Sequence, residues 1–335
     1  MADTENGMKQ SMSDYKKKLY KQEKQEEKAE KAYFKKHKNM YKLKGGDIVF
    51  YIIDYLIFGL FTLACFFPFY YLFINTISDN TLVMGGQIAL FPRGIHFDNY
   101  VTIFRKSEMF KAFAVSVART IIGTALMVLA SAFVGYLVTK QEMWHRKFFY
   151  RFLLITMYFN AGLIPWYMNM SMLGLTNNFL AYIIPGIVAP YNIILVKTYI
   201  ESIPHELEES AQMDGAGYLK VFWNIIWPLS KPILATIAIF GAVGNWNSFT
   251  DSLMLMQSAP DLRTLQHLLY IYLNQTTDLS MSANANTAAA ASATARSIIV
   301  SQYTVSMVSI IPILLVYPFM MKYFEKGIML GAVKG

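Results

Sequence analysis

Residues 48–75 read IVFYIIDYLIFGLFTLACFFPFYYLFIN. Asp54 is the single charged residue in this stretch, and a helix over it exceeds the roughly 20 residues that cross about 30 Å of hydrocarbon. Soluble cores seldom need one uninterrupted apolar helix of that length. Working outward, comparable runs cover about 113–138, 148–173, 179–199, 233–256 and 298–321. The expectation is an all-α, polytopic membrane protein with six transmembrane helices. Of the 335 residues, 55% are hydrophobic and 16% charged, against about 25% charged in soluble domains. Asn160, Asn169, Pro185, Pro190 and Asn192 interrupt the third and fourth runs. Polar and helix-breaking residues at that depth face protein or a water-filled cavity.

Short-loop lysine and arginine favour the cytoplasmic side. Lys35, Lys36, Lys38, Lys42 and Lys44 precede the first run, Lys140, Arg146 and Lys147 follow the second, and Lys322, Lys326 and Lys334 follow the sixth. The connection Gly174, Leu175, Thr176, Asn177 carries no charge. Six spans with both termini inside satisfy this bias. Arg93, Arg105, Lys106 and Lys111 dissent, in an external loop long enough to weaken the rule. The expected organisation is a charged cytoplasmic tail over 1–46 and a six-span domain over 47–335, with a cytoplasmic loop at 201–232. The tail is a solvated, partly helical segment, and its lysines also suit anionic membrane lipid.

The net charge of +8 does not imply nucleic acid, because the lysines crowd into residues 9–44 and the short connections without any nucleic-acid-binding motif. Cys65 stands alone inside an apolar run, which excludes a disulfide framework or a cysteine metal site. The polar first forty residues argue against a cleavable secretory signal.

The informative segment is 201–232, ESIPHELEESAQMDGAGYLKVFWNIIWPLSKP. It is too polar for lipid and too patterned for a flexible loop. Pro204 suits a helix start, and Glu206, Glu208 and Glu209 fall where negative charge complements the helix dipole. Leu207, Ala211 and Asp214 are expected on one face, with Glu208 and Gln212 pointing elsewhere. Gly215 and Gly217 should break the helix, Tyr218 to Ile226 should form a second, and Pro228 and Pro232 should end it. Such a helix–bend–helix element serves either as a lever seated in another protein or as an interfacial cap on the bundle.

Glu209-Ser210-Ala211, Asp214-Gly215-Ala216, Phe222, Ile225, Pro228 and Pro232 resemble the EAA signature of ABC importer permeases, with Ser210 where the family usually has alanine. Phe91-Pro92-Arg93-Gly94, Asn99-Tyr100 and Phe104 resemble the external segment of maltose-type carbohydrate permeases. Tyr317-Pro318-Phe319, Lys322-Tyr323-Phe324 and Lys326-Gly327 through Gly335 are similar to that group's C-terminus, nearest the lipoprotein or complex-polysaccharide branch. The resemblance covers about 48–335. It implies the type I importer permease fold, a second similar permease, two cytoplasmic ATPases and a lipid-anchored extracellular solute-binding protein. It also implies that Glu208, Glu209, Ser210, Ala211, Asp214, Gly215 and Ala216 form a coupling helix. There Glu209 would face a basic residue of the ATPase, Gly215 would allow the turn, and Ala211 and Ala216 would permit close approach. The tail 331–335 would also reach the ATPase pair.

Pathway candidates are Tyr158 and Asn160, Tyr191 and Asn192, and Asn245, Trp246 and Asn247, the last three expected mid-span. Aromatic faces and side-chain amides suit a sugar. The same residues also serve as interhelical hydrogen bonds and packing. The stretch 275–296, rich in Ala, Ser, Thr and Asn, is either a contact for the binding protein or a linker.

An enzyme is not expected. No phosphate loop is present, His205-Glu206 is followed at position 209 by Glu209 rather than histidine, and the five histidines have no metal-ligand spacing. No cofactor is implied. A secondary carrier would place carboxylates within the membrane, and Asp54 and Asp251 are the candidates, near run ends. A permease for peptides or anions is the remaining alternative, with Arg119 and Arg151 the cations to test. Arg119 is better explained by a structural role.

Overall fold

The computed structural model describes residues 20–22, 24–33, 45–282 and 298–318, and for 275–282 the backbone alone. Most of the charged tail, the Ala/Ser-rich stretch from 283 and the C-terminal signature from Phe319 lie outside the described residues. Among the described residues every regular element is helical. The chain divides into two compact units, one of residues 1–68 with 204–225, the other of 69–203 with 226–335.

Helix α1, Gly45–Thr76, runs through Pro68 without a break. No side chain between residues 46 and 73 is buried, as expected of a helix made for lipid or a partner helix. A short α2 (Asn80–Met84) follows, its first amides accepted by Asp79. Then come α3 (Asp98–Arg105) and α4 (Ser107–Thr139). The third apolar run is two helices, α5 (Arg146–Tyr158) and α6 (Leu163–Met172), meeting at 119°. The interruption expected within 148–173 is therefore a sharp break between two helices. Asn160 Oδ1 accepts from Gly162 N at 2.9 Å, and Gly162 has φ 88°, so the chain turns where a side chain competes with the helix for the amide. The fourth run is likewise broken, into 3₁₀ turns at Phe179–Tyr182 and Ile184–Gly186 and then α7, Pro190–Ile200, bent by 42°. Pro185 and Pro190 lack the amides a continuous helix would need.

In the second unit, α4 is the central helix and packs on α7 and on α10 (Lys231–Asn247). Glycines set these crossings. A Cβ on Gly135 would stand 3.1 Å from Val196 and 3.2 Å from the Ile193 carbonyl of α7, and one on Gly123 would stand 3.1 Å from the Asn245 amide of α10. Small residues at crossings let backbones approach where lipid offers no hydrophobic drive for association. The chain then turns at Ser248, forms α11 (Thr250–Leu255) and α12 (Leu265–Ser282), and ends with α13, Ile298–Pro318. The fifth run was expected to be continuous over 233–256, but its helix ends at Asn247. Among the described residues, three helices are long and apolar enough to cross a membrane, or up to six with each bent pair taken as one span.

Candidate functional site

The 201–232 segment belongs, over 204–225, to the first unit. Helix α8, Glu206–Met213, opens with Glu206, Glu208 and Glu209 in its first turn, and each acid contributes about 0.3–1 kcal/mol against the helix dipole. Its end is closed by a pair of hydrogen bonds: Ala216 N donates to Ala211 O and Gly215 N to Gln212 O, both at 2.9 Å. This Schellman arrangement requires a left-handed residue between the two donors, and Gly215 supplies it at φ 78°. Ala211 and Ala216, at the two ends of the longer bond, are both buried. Then come α9, Tyr218–Val221, a π-helical turn at Phe222–Ile226 and one further turn at Trp227–Leu229. Pro228 lies inside this run and Pro232 in the first turn of α10. The helical run thus ends at Leu229, between the two prolines.

The faces of α8 differ from expectation. Glu208 and Ala211 are buried, Leu207 is half-buried, and Asp214 and Gln212 are exposed. Ala211 and Ala216 are covered by the chain's own packing. The outward surface carries Glu206, Glu209, Ser210, Asp214 and Gly215, beside Met213 at 89% and Leu219 at 62% exposure.

The pathway candidates scatter. Trp246 is buried, donates from Nε1 to Ser309 O at 3.0 Å and meets the Phe113 ring edge-on. Asn245 Nδ2 donates to Thr124 Oγ1 at 3.3 Å, and the buried Asn192 donates to Met127 Sδ at 2.8 Å. These three bind helix to helix. Asn247 is exposed and 3.5 Å from Gln266 Nε2. Tyr158, Asn160 and Tyr191 are exposed. The triad 245–247 occupies the last turn of α10, not mid-span.

Sequence reasoning missed one buried polar node. Arg119, in α4, donates from Nη1 to Asp251 Oδ1 at 3.1 Å and to Ser248 O at 3.1 Å, and from Nη2 to Asp251 Oδ2. Its guanidinium lies 4.7 Å from the Tyr182 ring centroid. Asp251 also accepts from Ser252 N, and Ser252 Oγ hydrogen-bonds His267 Nδ1 at 2.9 Å. One signal was available: two opposite charges, each alone in an apolar run, neutralise each other most cheaply by pairing.

The model for the family described as "Binding-protein-dependent transport system inner membrane component" matches residues 39–330. The chain belongs to that family. This inner membrane component is 32% identical over 297 residues to Protein LplC of Bacillus subtilis (strain 168), covering 88% of this chain and 98% of that one. It is 31% identical over 290 residues to the polygalacturonan/rhamnogalacturonan transport system permease protein YtcP of the same organism, covering 85% and 99%. It is also similar to a chain in the crystal structure of a bacterial ABC transporter involved in import of the acidic polysaccharide alginate. That match has a TM-score of 0.73 and 31% identity, over 84% of this chain and 99% of that one. The fold is that of a type I importer permease, the protein is a multi-pass membrane component, and its family consists of transporter subunits rather than enzymes. Members work with a second permease, ATPases and a solute-binding protein.

Proposed function

We propose that this permease subunit carries an oligosaccharide into the cell, driven by a pair of ATPases, with its 201–232 element seated in one of them. The observation that carries the reading is the closed helix–glycine–helix unit, with carboxylates and bare apolar side chains outward. A rigid element transmits force; a flexible loop would absorb it. In this reading both termini and the 201–232 element are cytoplasmic. Glu209 and Asp214 meet basic groups of the ATPase, and Met213 and Leu219 fill apolar recesses beside them. Glu208 and Ala211 hold the helix to the chain, and Gly215 sets the angle. ATP-driven closure of the ATPase pair moves this element and switches access to the pathway. A lipid-anchored binding protein delivers the solute from outside, and a second, similar permease completes the pore.

The sugar assignment draws on the relatives' named cargoes and on exposed aromatic and amide groups at Tyr158, Asn160 and Tyr191. Of the two cations an anion path could use, Arg119 is already ion-paired with Asp251. The test is ATPase activity of the reconstituted importer with loaded binding protein, for wild type and Glu209→Ala/Gly215→Pro. Loss of stimulation in correctly assembled complexes supports the reading. Full stimulation and transport in the variant would refute it.

A further inference from the structure

The connection between α4 and α5 builds a second polar site that transport, as proposed, does not use. The apolar run of α4 ends at Thr139 and α5 begins at Arg146, so this connection lies where a spanning helix leaves hydrocarbon for water. A cavity of about 690 Å³ opens there, lined by Arg146, Lys147 and Arg151 together with His145, Met143 and Phe148. Arg146 Nη1 donates to Thr139 O at 3.0 Å, which fixes the guanidinium at the pocket wall. Among the described residues no carboxylate pairs with Arg146, Lys147 or Arg151. The first turn of α5 contains no acid, so Arg146 and Lys147 stand where the helix dipole disfavours them. Three cations thus line one pocket without a paired carboxylate.

The neighbouring surface says which kind of anion. Trp144, Phe148 and Phe152 are exposed beside the cations, and aromatic side chains gather at headgroup level in membranes. A pocket with cationic and apolar walls at that depth suits an amphiphile: phosphate against Arg146, Lys147 and Arg151, glycerol and acyl chain along Phe148 and Met143. We infer that the pocket between α4 and α5 binds the phosphate of an anionic phospholipid headgroup. Free inorganic phosphate shares the anionic chemistry but has no use for the apolar wall. Basic residues that served membrane topology alone would not need the cavity.

The test uses the full chain in its assembled importer, purified in mild detergent and titrated with short-chain phosphatidylglycerol or phosphatidylcholine, with bound lipid counted by native mass spectrometry. Wild type should prefer phosphatidylglycerol. Lys147→Gln/Arg151→Gln leaves the Arg146 contact to α4 intact and should weaken phosphatidylglycerol binding about thirtyfold, and Lys147→Gln alone about fivefold. A tail variant, Lys16→Gln/Lys17→Gln/Lys18→Gln, should bind like wild type, which separates the pocket from diffuse attraction. Unchanged affinity in both pocket variants, or loss confined to the tail variant, overturns the inference. Displacement by inorganic phosphate at matched concentration, without preference for phosphatidylglycerol, replaces the lipid with a free anion and overturns it equally.

Discussion

Replacing Arg119 by methionine tests whether the buried ion pair fastens α4 to the segment after α10. The side chains of Arg119 and Asp251 are only 4% and 16% exposed, and both carboxylate oxygens accept from the guanidinium. Removing one partner leaves the other charge buried and uncompensated, which costs about 3–5 kcal/mol. Replacing both by apolar residues of similar volume is often neutral or stabilising, so Arg119→Met/Asp251→Leu should recover most of what each single change loses. At about 2–4 °C per kcal/mol, each single variant should lose roughly 6–20 °C of thermal midpoint. Fluorescence-detected size-exclusion of heated, detergent-solubilised importer measures this for wild type, both singles and the double. Singles indistinguishable from wild type would show that water or rearrangement satisfies the charges. A double variant at the sum of the two singles would show that the residues do not act as a pair.

Three further outcomes follow from other positions. Nothing lies within 4 Å of a Cβ built on Gly215, and its φ is 78°, so Gly215→Ala should cost about 1–2 kcal/mol through backbone strain alone. Binding-protein-stimulated ATPase activity should then fall less for Gly215→Ala than for Gly215→Pro, which also loses the amide donated to Gln212. Gly135→Ala presses on Val196 and on the Ile193 carbonyl and should destabilise by about 1–3 kcal/mol. Gly244→Ala, with nothing within 4 Å near the end of α10, should be neutral or gain up to about 1 kcal/mol; heated-sample chromatography of both variants reads the contrast. The pKa of His267 is lowered to about 4, chiefly by burial and further by Arg263, against the opposing pull of Asp251. Above the ordinary value of 6.5 both folded and unfolded states are neutral there; as pH falls from 6.5 toward 4 the unfolded state takes up a proton that the folded state refuses. Thermal midpoints should therefore fall across that window in wild type and fall less in His267→Gln, and equal slopes would count against the burial argument.

Hydropathy alone located the apolar runs, because a helix in lipid must satisfy its own backbone and show apolar side chains over its whole length. Local grammar was equally legible in 206–216: acids in the first turn and a glycine past the last one foretold α8 and its end near Gly215. The inward and outward faces of that helix were not legible. Glu208 reads as a solvated acid by composition, yet it is buried beside Ala211 while Asp214 is exposed. Burial depends on what the rest of the chain brings alongside, and an eight-residue helix carries too little periodicity to say.

The breaks within the third and fourth spans were signalled by Asn160, Pro185 and Pro190. A 119° turn, rather than a kink, depends on an amide captured by the Asn160 side chain and on Gly162 at positive φ. The sequence by itself determined the class of protein: a multi-span helical permease with an EAA-type loop, since both signals are written in neighbouring residues. Only the tertiary structure decided that Trp246, Asn245 and Asn192 tie helices together, and that Arg119 finds Asp251. Those pairings close gaps of 63 to 132 residues, and a contact across such a gap is chosen by how helices pack, not by the residues adjoining either end.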